Sequence, residues 1–162
     1  MRKAMAFAAA AGLLASACIL VASFLGFTMD RLGPRAVLMH VGLFVLGIPL
    51  VFADRWPSRS MNLFRGKPRW ALRSLQIVFL LFAGVFLTYL ALSHGTSAQA
   101  IGGDYVLSDH GNIVGRISQR DYLFLKAWEL RFFASGWIWA YYALVIHWWF
   151  PRQDEWTLTM PD

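Results

Sequence analysis

The chain has 162 residues, of which 58% are hydrophobic and 15% are charged, and its formal net charge is +6 at pH 7. Soluble domains carry roughly a quarter of their residues as charged side chains, so this composition excludes an ordinary soluble domain. It also excludes a disordered chain, which needs low hydrophobicity. Cys18 is the one cysteine, which excludes a disulfide-rich secreted scaffold. We therefore expect a single integral membrane domain over residues 1–162.

Four apolar runs that lack Asp, Glu, Lys and Arg predict transmembrane helices. These runs cover residues 4–27, 36–53, 74–93 and 132–150. Each is close to the roughly 20 residues that a helix needs to cross the hydrocarbon layer. A capping pattern moves the start of the last helix earlier, so the predicted helices span about 4–27, 36–53, 74–93 and 119–150. The predicted fold class is all-α, a four-helix transmembrane bundle with a small extracytoplasmic β-hairpin before the last helix.

The distribution of lysine and arginine predicts the orientation of these helices. Positive residues are most frequent at the N-terminus, between the second and third helices, and in the tail. Because such residues favour the cytoplasmic side, both termini are expected there and the 94–118 loop on the other side. The residues before Cys18 are small, as at a lipoprotein cleavage site, but the apolar run continues beyond it without a polar spacer. An uncleaved first helix is therefore predicted.

The segment before the last helix combines a link, a hairpin and a helix cap. Residues 94–103 are rich in Gly, Ser and Ala and are predicted to form a flexible link. A hairpin is predicted over 105–117, with Gly111 and Asn112 expected to take positive φ in its turn. Ser118, with an acidic residue three positions later, predicts the N-cap of the last helix.

A pattern in the same segment resembles a group of small bacterial proteins. Its first part has the spacing Y-x-L-x-x-H-G, and its second part is a helix start that precedes an aromatic last span. The residues of the pattern are Tyr105, Leu107, His110, Gly111, Ser118 and Tyr122. This pattern is similar to that of uncharacterised small four-helix proteins of the bacterial inner membrane. The resemblance implies a bacterial origin and the four-helix layout, and it implies no activity.

Small residues recur every four positions on the first helix and again on the last helix. Such rows let two helix backbones approach closely, either within the bundle or against another subunit. The hairpin turn offers a second contact surface for a partner protein, because its small apolar face is unstable alone. The residues predicted to bind a partner are Ala8, Gly12, Ser16, Gly136, Ala140, Asp109, His110 and Gly111.

The segment between the second and third helices is both basic and aromatic. Positive residues beside a bilayer attract anionic headgroups by about 1 kcal/mol each. Nucleic-acid binding uses the same residue types, but the positive-inside rule already accounts for them, so no nucleic-acid partner is predicted. The residues predicted to bind anionic lipids on the cytoplasmic side are Arg55, Arg59, Arg65, Lys67, Arg69 and Arg73.

Two histidines fall in one leaflet of the predicted bundle. His40 lies in the second helix and His94 ends the third, so this pair could bind one haem b near the outer face, or the helices could hold a quinone there. A diheme arrangement needs a histidine pair in each leaflet and is excluded. The main expectation is that no cofactor and no metal ion is bound, because histidines also serve as hydrogen-bond partners across helices.

The sequence contains no recognisable catalytic arrangement, and no catalytic residue is predicted. A single cysteine excludes a quinone-linked disulfide-forming enzyme, and spans without a carboxylate exclude a small multidrug exporter. A pore ranks last because the spans lack a polar lining. The sequence favours a non-catalytic accessory or assembly subunit of a bacterial inner-membrane complex, with a small membrane redox protein as the alternative.

Overall fold

The computed structural model describes residues 2–53 and 66–150, with side chains over 2–48 and 66–150. Within these residues the chain forms five helices and a three-stranded sheet. The helices are α1 (Arg2–Phe24), α2 (Met29–Leu32), α3 (Arg35–Ala53), α4 (Arg69–Ser93) and α5 (Gln119–Trp149). The strands, which lie between α4 and α5 in the chain, are β1 (Ser97–Ile101), β2 (Asp104–Asp109) and β3 (Asn112–Arg116).

α5 is the central helix, and α1, α3 and α4 all pack on it. α1 runs antiparallel to α5. Arg2 donates hydrogen bonds to the carbonyls of Trp148 and Phe150 at one end. At the other end, Arg131 donates to the Ser23 carbonyl. α1 is therefore in contact with α5 along its own full length, from Arg131 to the end of α5.

α4 also runs antiparallel to α5. Lys67, just before α4, donates to the carbonyls of His147 and Phe150 at the end of α5. Tyr89, near the end of α4, stacks on Phe132 with ring centroids 5.6 Å apart. α1 and α4 therefore begin at the same end of the molecule, and the sheet lies at the opposite end.

The buried side chains of α5 follow a heptad-like spacing. The residues separated by alternating steps of four and three, all in the hydrophobic core, are Leu130, Ala134, Trp137, Tyr141 and Leu144. This spacing is typical of helices that pack at a small angle over many turns. It places these residues on one side of α5, where they form a common core with α1 and α3.

α1 contributes small residues to this core. Ala9, Ser16 and Ser23 are buried and lie seven positions apart. Gly12 faces the ring of Tyr141, and a Cβ at Gly12 would overlap that ring. The close approach of α1 to α5 therefore depends on small side chains.

The three strands form an antiparallel sheet in the order β1–β2–β3. A two-residue turn at His110 and Gly111, with φ of 47° and 89°, joins β2 to β3. Positive φ at both positions is typical of a type I′ hairpin turn. β1 and β2 rest on α5, where the rings of Tyr105 and Tyr122 have centroids 4.7 Å apart. β1 and β3 are the two edge strands, and β3 makes no appreciable contact with the helices in the part of the chain that the structure describes.

The predicted four-helix transmembrane bundle is wrong. Among the described residues two helices, α1 and α4, are long and apolar enough to span a membrane, which suggests membrane association. α3 is also apolar over Arg35–Ile48, the part whose side chains are described, but that stretch by itself is shorter than a membrane span. α5 carries Lys126, Glu129 and Arg131 in its first half and several Trp and Tyr residues further on. Because three helices pack on α5, it does not need an apolar surface all round.

Two further expectations for the segment before α5 are corrected. The flexible link predicted over 94–103 is wrong, because half of it forms β1, which pairs with β2. Local composition does not encode that pairing. The hairpin is present and Gly111 has positive φ as predicted, but the second positive φ falls at His110, because Asn112 is the first residue of β3.

The predicted N-cap of α5 is confirmed. The Ser118 hydroxyl accepts a hydrogen bond from the backbone N–H of Asp121 at 3.1 Å. This bond satisfies one of the N–H groups that the first turn of a helix leaves without a partner. It determines where the sheet ends and where α5 begins.

Candidate functional site

Four polar side chains meet where α2, the sheet and α5 join. On the α5 side the Tyr122 phenol donates to Asp30 Oδ2, on α2, at 2.5 Å. The Lys126 ammonium lies 3.7 Å from Asp30 Oδ1 and donates to Glu129 Oε2 at 2.8 Å. We call Asp30, Tyr122, Lys126 and Glu129 the polar cluster. It places one ammonium between two carboxylates, with a phenol bound to one of them.

Local spacing brings most of the polar cluster together. Tyr122, Lys126 and Glu129 follow each other at intervals of four and three on α5, so they share one face of the helix. Asp30 lies in the first turn of α2, just after the bend at Gly26, where φ is 86°. The bend carries Asp30 from the end of α1 to the side of α5.

Exposure to solvent differs across the polar cluster. The Lys126 side chain is 13% exposed and that of Glu129 is 21% exposed, whereas Asp30 is 46% exposed. Burial, the hydrogen bond to Asp30 and the charge of that carboxylate raise the pKa of Tyr122 above its ordinary value. The phenol is therefore neutral at physiological pH and serves as a hydrogen-bond donor.

The polar cluster ties the sheet to the helices. Each of its charged groups has a partner of opposite charge within 4.0 Å. The Tyr105 ring of β2 packs on the Tyr122 ring, and Tyr122 is bound to Asp30. One aromatic contact and one hydrogen bond thus connect three elements. The arrangement fits a structural link, since its phenol is a donor and its ammonium is paired.

A second polar contact lies in the core, at Tyr141. The Tyr141 hydroxyl donates to the Met39 carbonyl of α3 at 2.8 Å. Its ring lies between Gly12 of α1 and Gly42 of α3, and a Cβ at either glycine would overlap the tyrosine. α1, α3 and α5 can therefore meet here only because both positions lack a side chain.

His40 follows Met39 on α3 and is half-buried. Its Nδ1 donates to the Ala36 carbonyl at 3.0 Å, and its Nε2 accepts from the indole N–H of Trp137 at 3.4 Å. The imidazole also packs edge-to-face on Phe133 and Trp137. A haem ligand needs a free ring nitrogen, and both nitrogens of His40 are engaged here.

The structure does not bring His40 and His94 together. His94 follows α4 in the left-handed conformation, with φ of 50°, and is exposed. α3 and α4 both pack on α5 and hardly contact each other over the described ranges. Within residues 2–53 and 66–150 there is also no group of three or more His, Cys, Asp or Glu that could hold a metal ion. The haem or quinone hypothesis stays a prediction that these positions do not favour.

The small residues predicted to bind a partner lie in two environments. Gly12 and Ser16 are on the face of α1 that packs on α5, and Gly136 of α5 lies against α4. Ala8 is exposed, and Ala140 is half-buried. Much of this row is therefore used for packing within the chain. Partner binding by these residues stays a prediction.

The hairpin residues predicted to bind a partner form the tip of the sheet. Asp109, His110 and Gly111 are all exposed. The Asp109 Oδ1 and His110 Nδ1 atoms lie 2.6 Å apart. This contact accompanies the left-handed conformation of His110, which is unusual for a residue with a Cβ. The tip is thus ordered by its own side chains, and a partner there also stays a prediction.

Three of the six residues predicted to bind anionic lipids lie among the described residues, and three do not. Those that lie outside the described residues are Arg55, Arg59 and Arg65. Lys67 is buried and donates to carbonyls at the end of α5, so it caps that helix. Arg69 and Arg73 are exposed at the start of α4. Lipid binding by the exposed pair stays a prediction.

The polar cluster is the feature that sequence reasoning missed. Asp30 and Tyr122 are 92 positions apart, and no local pattern connects them. The spacing of Lys126 and Glu129 on a predicted helix could have revealed an ion pair. It could not have revealed the aspartate that completes the cluster.

Comparisons with known proteins assign no family to this chain, so the fold alone describes its class. No protein-family model, no curated protein and no solved structure matches this chain. The fold is helical with a small antiparallel sheet at one end, and two of its described helices are able to span a membrane.

Proposed function

We propose that this protein is a non-catalytic accessory subunit of a bacterial inner-membrane complex, and that it docks a partner protein along β3. The exposure of β3 carries the proposal. Ile113 and Val114 on this strand are 59% and 57% exposed. Within the described residues β3 pairs with β2 alone, so its other edge presents unpaired backbone groups. An exposed apolar edge strand is a template for strand addition by another chain.

The sheet is held firmly enough to serve as a docking surface. The polar cluster and the contact between Tyr105 and Tyr122 attach the sheet to α5. The two-residue turn sets the pairs Asp109–Asn112 and Ser108–Ile113, and a bulge at Val114 shifts the register of the remaining pairs of β2 and β3 by one residue. A surface that is ordered before binding loses less conformational freedom on association, which favours affinity.

The outward faces of α1 and α4 support a membrane location. Large apolar side chains exposed on these two helices include Phe7, Leu14, Val21, Ile77, Leu80, Leu81 and Leu87. In water such a surface would favour aggregation, whereas in a bilayer it would contact lipid. The exposed apolar side chains of α1 and α4 therefore favour insertion into a membrane.

The positive residues support an orientation in that membrane. Arg2 and Lys3 begin α1, and Arg69 and Arg73 begin α4, at the same end of the molecule. The positive-inside rule assigns that end to the cytoplasm and the sheet to the opposite side. A partner would then meet β3 outside the cytoplasm.

Photo-crosslinking tests the docking proposal. A photoreactive amino acid at Ile113 in native membranes should yield one discrete adduct with another protein. The same amino acid at Arg120, exposed at the start of α5, is the control for unspecific proximity. Adding Val114→Lys should abolish the adduct, because a charge on an edge strand opposes strand addition. No adduct from Ile113, or equal adducts from both positions, contradicts the proposal.

Thiol labelling tests the orientation. The side chain of His110 is 94% exposed, whereas Ser108 is buried, so the reporter cysteine belongs at position 110. Cys18 is exposed and must be replaced. In a Cys18→Ser background, His110→Cys should react with an impermeant reagent added from outside the inner membrane. Labelling only after that membrane is opened would reverse the orientation.

A further inference from the structure

An apolar groove of about 340 Å³ lies between α1 and α4, over α5. α1 and α4 hardly contact each other in the described part of the chain, so the groove is the gap left between them. Its apolar walls and floor include Leu20, Phe24, Val78, Leu81, Phe82, Val85 and Ile138. The volume lies at the lower end of the range for ligand pockets.

One end of the groove carries a cation, Arg131. Its guanidinium lies 4.4 Å from the ring centroid of Phe24 and 4.8 Å from that of Trp128. It donates to the Ser23 carbonyl, in the last turn of α1, at 3.3 Å. Both rings and the end of the helix stabilise the positive charge in part.

These contacts leave most of the guanidinium without acceptors. A guanidinium has five N–H donors, and Arg131 makes one hydrogen bond to the residues that the structure describes. None of the described carboxylates lies within 4.0 Å of it. Arg131 Nε and the indole Nε1 of Trp128 are both buried without a hydrogen-bond partner among the described residues. A half-buried cation without an anion is costly, and an anionic oxygen would offset that cost.

The level of Arg131 fits the headgroup region of a bilayer. Ser23 is the second-last residue of α1, so the guanidinium lies at the height where α1 ends. Arg and Trp are favoured at this level of a membrane. From there the groove extends along α4 between Val85 and Val78, a length of about 10 Å by the helical rise.

We propose that the groove binds one anionic phospholipid, with its phosphate on Arg131 and one acyl chain along the apolar walls. Charge complementarity identifies this occupant. The apolar walls can contact an acyl chain. A guanidinium that has no carboxylate partner can donate two parallel hydrogen bonds to a phosphate. The inference rests on the membrane location proposed above and does not depend on partner docking at β3.

Lipid titration tests the inference on the purified full chain in a nonionic detergent. The probes are phosphatidylglycerol and phosphatidylcholine with identical acyl chains, and native mass spectrometry measures bound lipid. Wild type should bind phosphatidylglycerol about tenfold more tightly than phosphatidylcholine. Arg131→Gln should reduce this preference to below about twofold. Arg116→Gln makes the same charge change on the exposed strand β3 and should keep the preference.

A labelling experiment on wild type keeps the inference testable if Arg131→Gln does not fold. Phosphatidylglycerol with a photoreactive group in its acyl chain should label peptides containing Leu81 and Val85. It should label the exposed positions Val41 and Phe44 of α3 far less.

Several outcomes would overturn the inference. These are equal binding of the two lipids by wild type, an unchanged preference in folded Arg131→Gln, and an equal loss in Arg116→Gln. Equal labelling of α3 and α4 would overturn it as well. Tighter binding of a fatty acid or a quinone than of phosphatidylglycerol would overturn the assigned occupant. Neither experiment needs a partner protein, so their failure is distinguishable from a failed crosslink at Ile113.

Discussion

α1 and α4 are the two described helices able to span a membrane, and they pack on α5 in different ways. α1 is buried at intervals along its length, from Ala6 to Ser23, and presents small side chains to α5. In α4 the buried residues are Ala71 and Ser93, near its two ends. Between those ends α4 meets α5 through aromatic rings, such as Phe82 against Trp139 and Phe132.

The difference shows that two apolar helices can pack on the same central helix with different consequences. Small residues let the backbones of α1 and α5 approach closely, and at Gly12 the ring of Tyr141 fills the space beside the glycine. α4 meets α5 through aromatic rings and hardly contacts α1 among the described residues, so a groove stays open between α1 and α4 next to Arg131. A closely packed contact stabilises the fold, whereas a wider contact leaves room for a ligand.

The largest effect is expected from a side chain added between α1 and α5. Gly12→Leu forces a collision with the Tyr141 ring and should lower the free energy of unfolding by about 3 kcal/mol. Gly84→Leu is the matched control on α4, since no atom lies within 4 Å of a Cβ there. The control should stay within about 1 kcal/mol of wild type. Unfolding in mixed detergent, followed by tryptophan fluorescence, measures both.

Equal destabilisation by the two leucine variants would contradict the comparison. It would mean that α4 packs as closely as α1. A neutral Gly12→Leu would show that the Tyr141 ring moves aside without cost.

A smaller effect is expected from removing a ring between α4 and α5. Phe82→Ala should cost about 2 kcal/mol, below the range of about 3–5 kcal/mol for a fully buried phenylalanine, because Phe82 borders the groove. Phe44→Ala, at a position on α3 that is 66% exposed, should cost almost nothing. The same unfolding assay applies. A loss of 4 kcal/mol or more at Phe82 would show that α4 is packed as tightly as a core helix.

The smallest effect is expected at a contact that involves neither α1 nor α4. Tyr122→Phe removes the hydrogen bond to Asp30 and should cost about 1 kcal/mol at pH 7. Because the folded pKa of Tyr122 is raised, its stabilisation is complete below the ordinary value of 10.0 and declines as the pH rises beyond it. The difference between wild type and Tyr122→Phe should therefore shrink above pH 10.

Tyr105→Phe is the control for this pH dependence. This variant removes the hydroxyl of Tyr105, whose ring packs on the ring of Tyr122, and it keeps the hydrogen bond between Tyr122 and Asp30. Its stability should follow that of wild type above pH 10. If the free energy of unfolding of Tyr122→Phe declines with pH as that of wild type does, ionisation of the Tyr122 phenol does not cause the decline.

Local signals explain which parts of the fold could be predicted. The long helices follow from uninterrupted apolar runs, the hairpin from β-prone residues around Gly111, and the start of α5 from Ser118. Each signal lies within a few residues of the feature that it predicts. β1 was not predictable in this way, because its small residues form a strand only by pairing with β2.

The candidate site was mostly not predictable, because distant residues build it. The polar cluster needs Asp30 to reach Tyr122, and the groove needs α1 and α4 to lie on either side of Arg131. Of the predicted row on α1, Gly12 and Ser16 do pack closely on α5, whereas Ala8 is exposed. The row did not show that Tyr141 is the side chain that fills the space beside Gly12.

The sequence by itself determined an apolar chain with long helices, one hairpin turn and a bias of positive charge toward one end. Composition and short-range spacing decide such features, since bilayer solvation and helix formation act on contiguous residues. Only the tertiary structure decided that α5 is the central helix, that β1 completes the sheet and that Arg131 lies in an apolar groove. These features depend on which helix surfaces meet, and that choice is made by the fit of side chains such as Tyr141 against glycines on other helices.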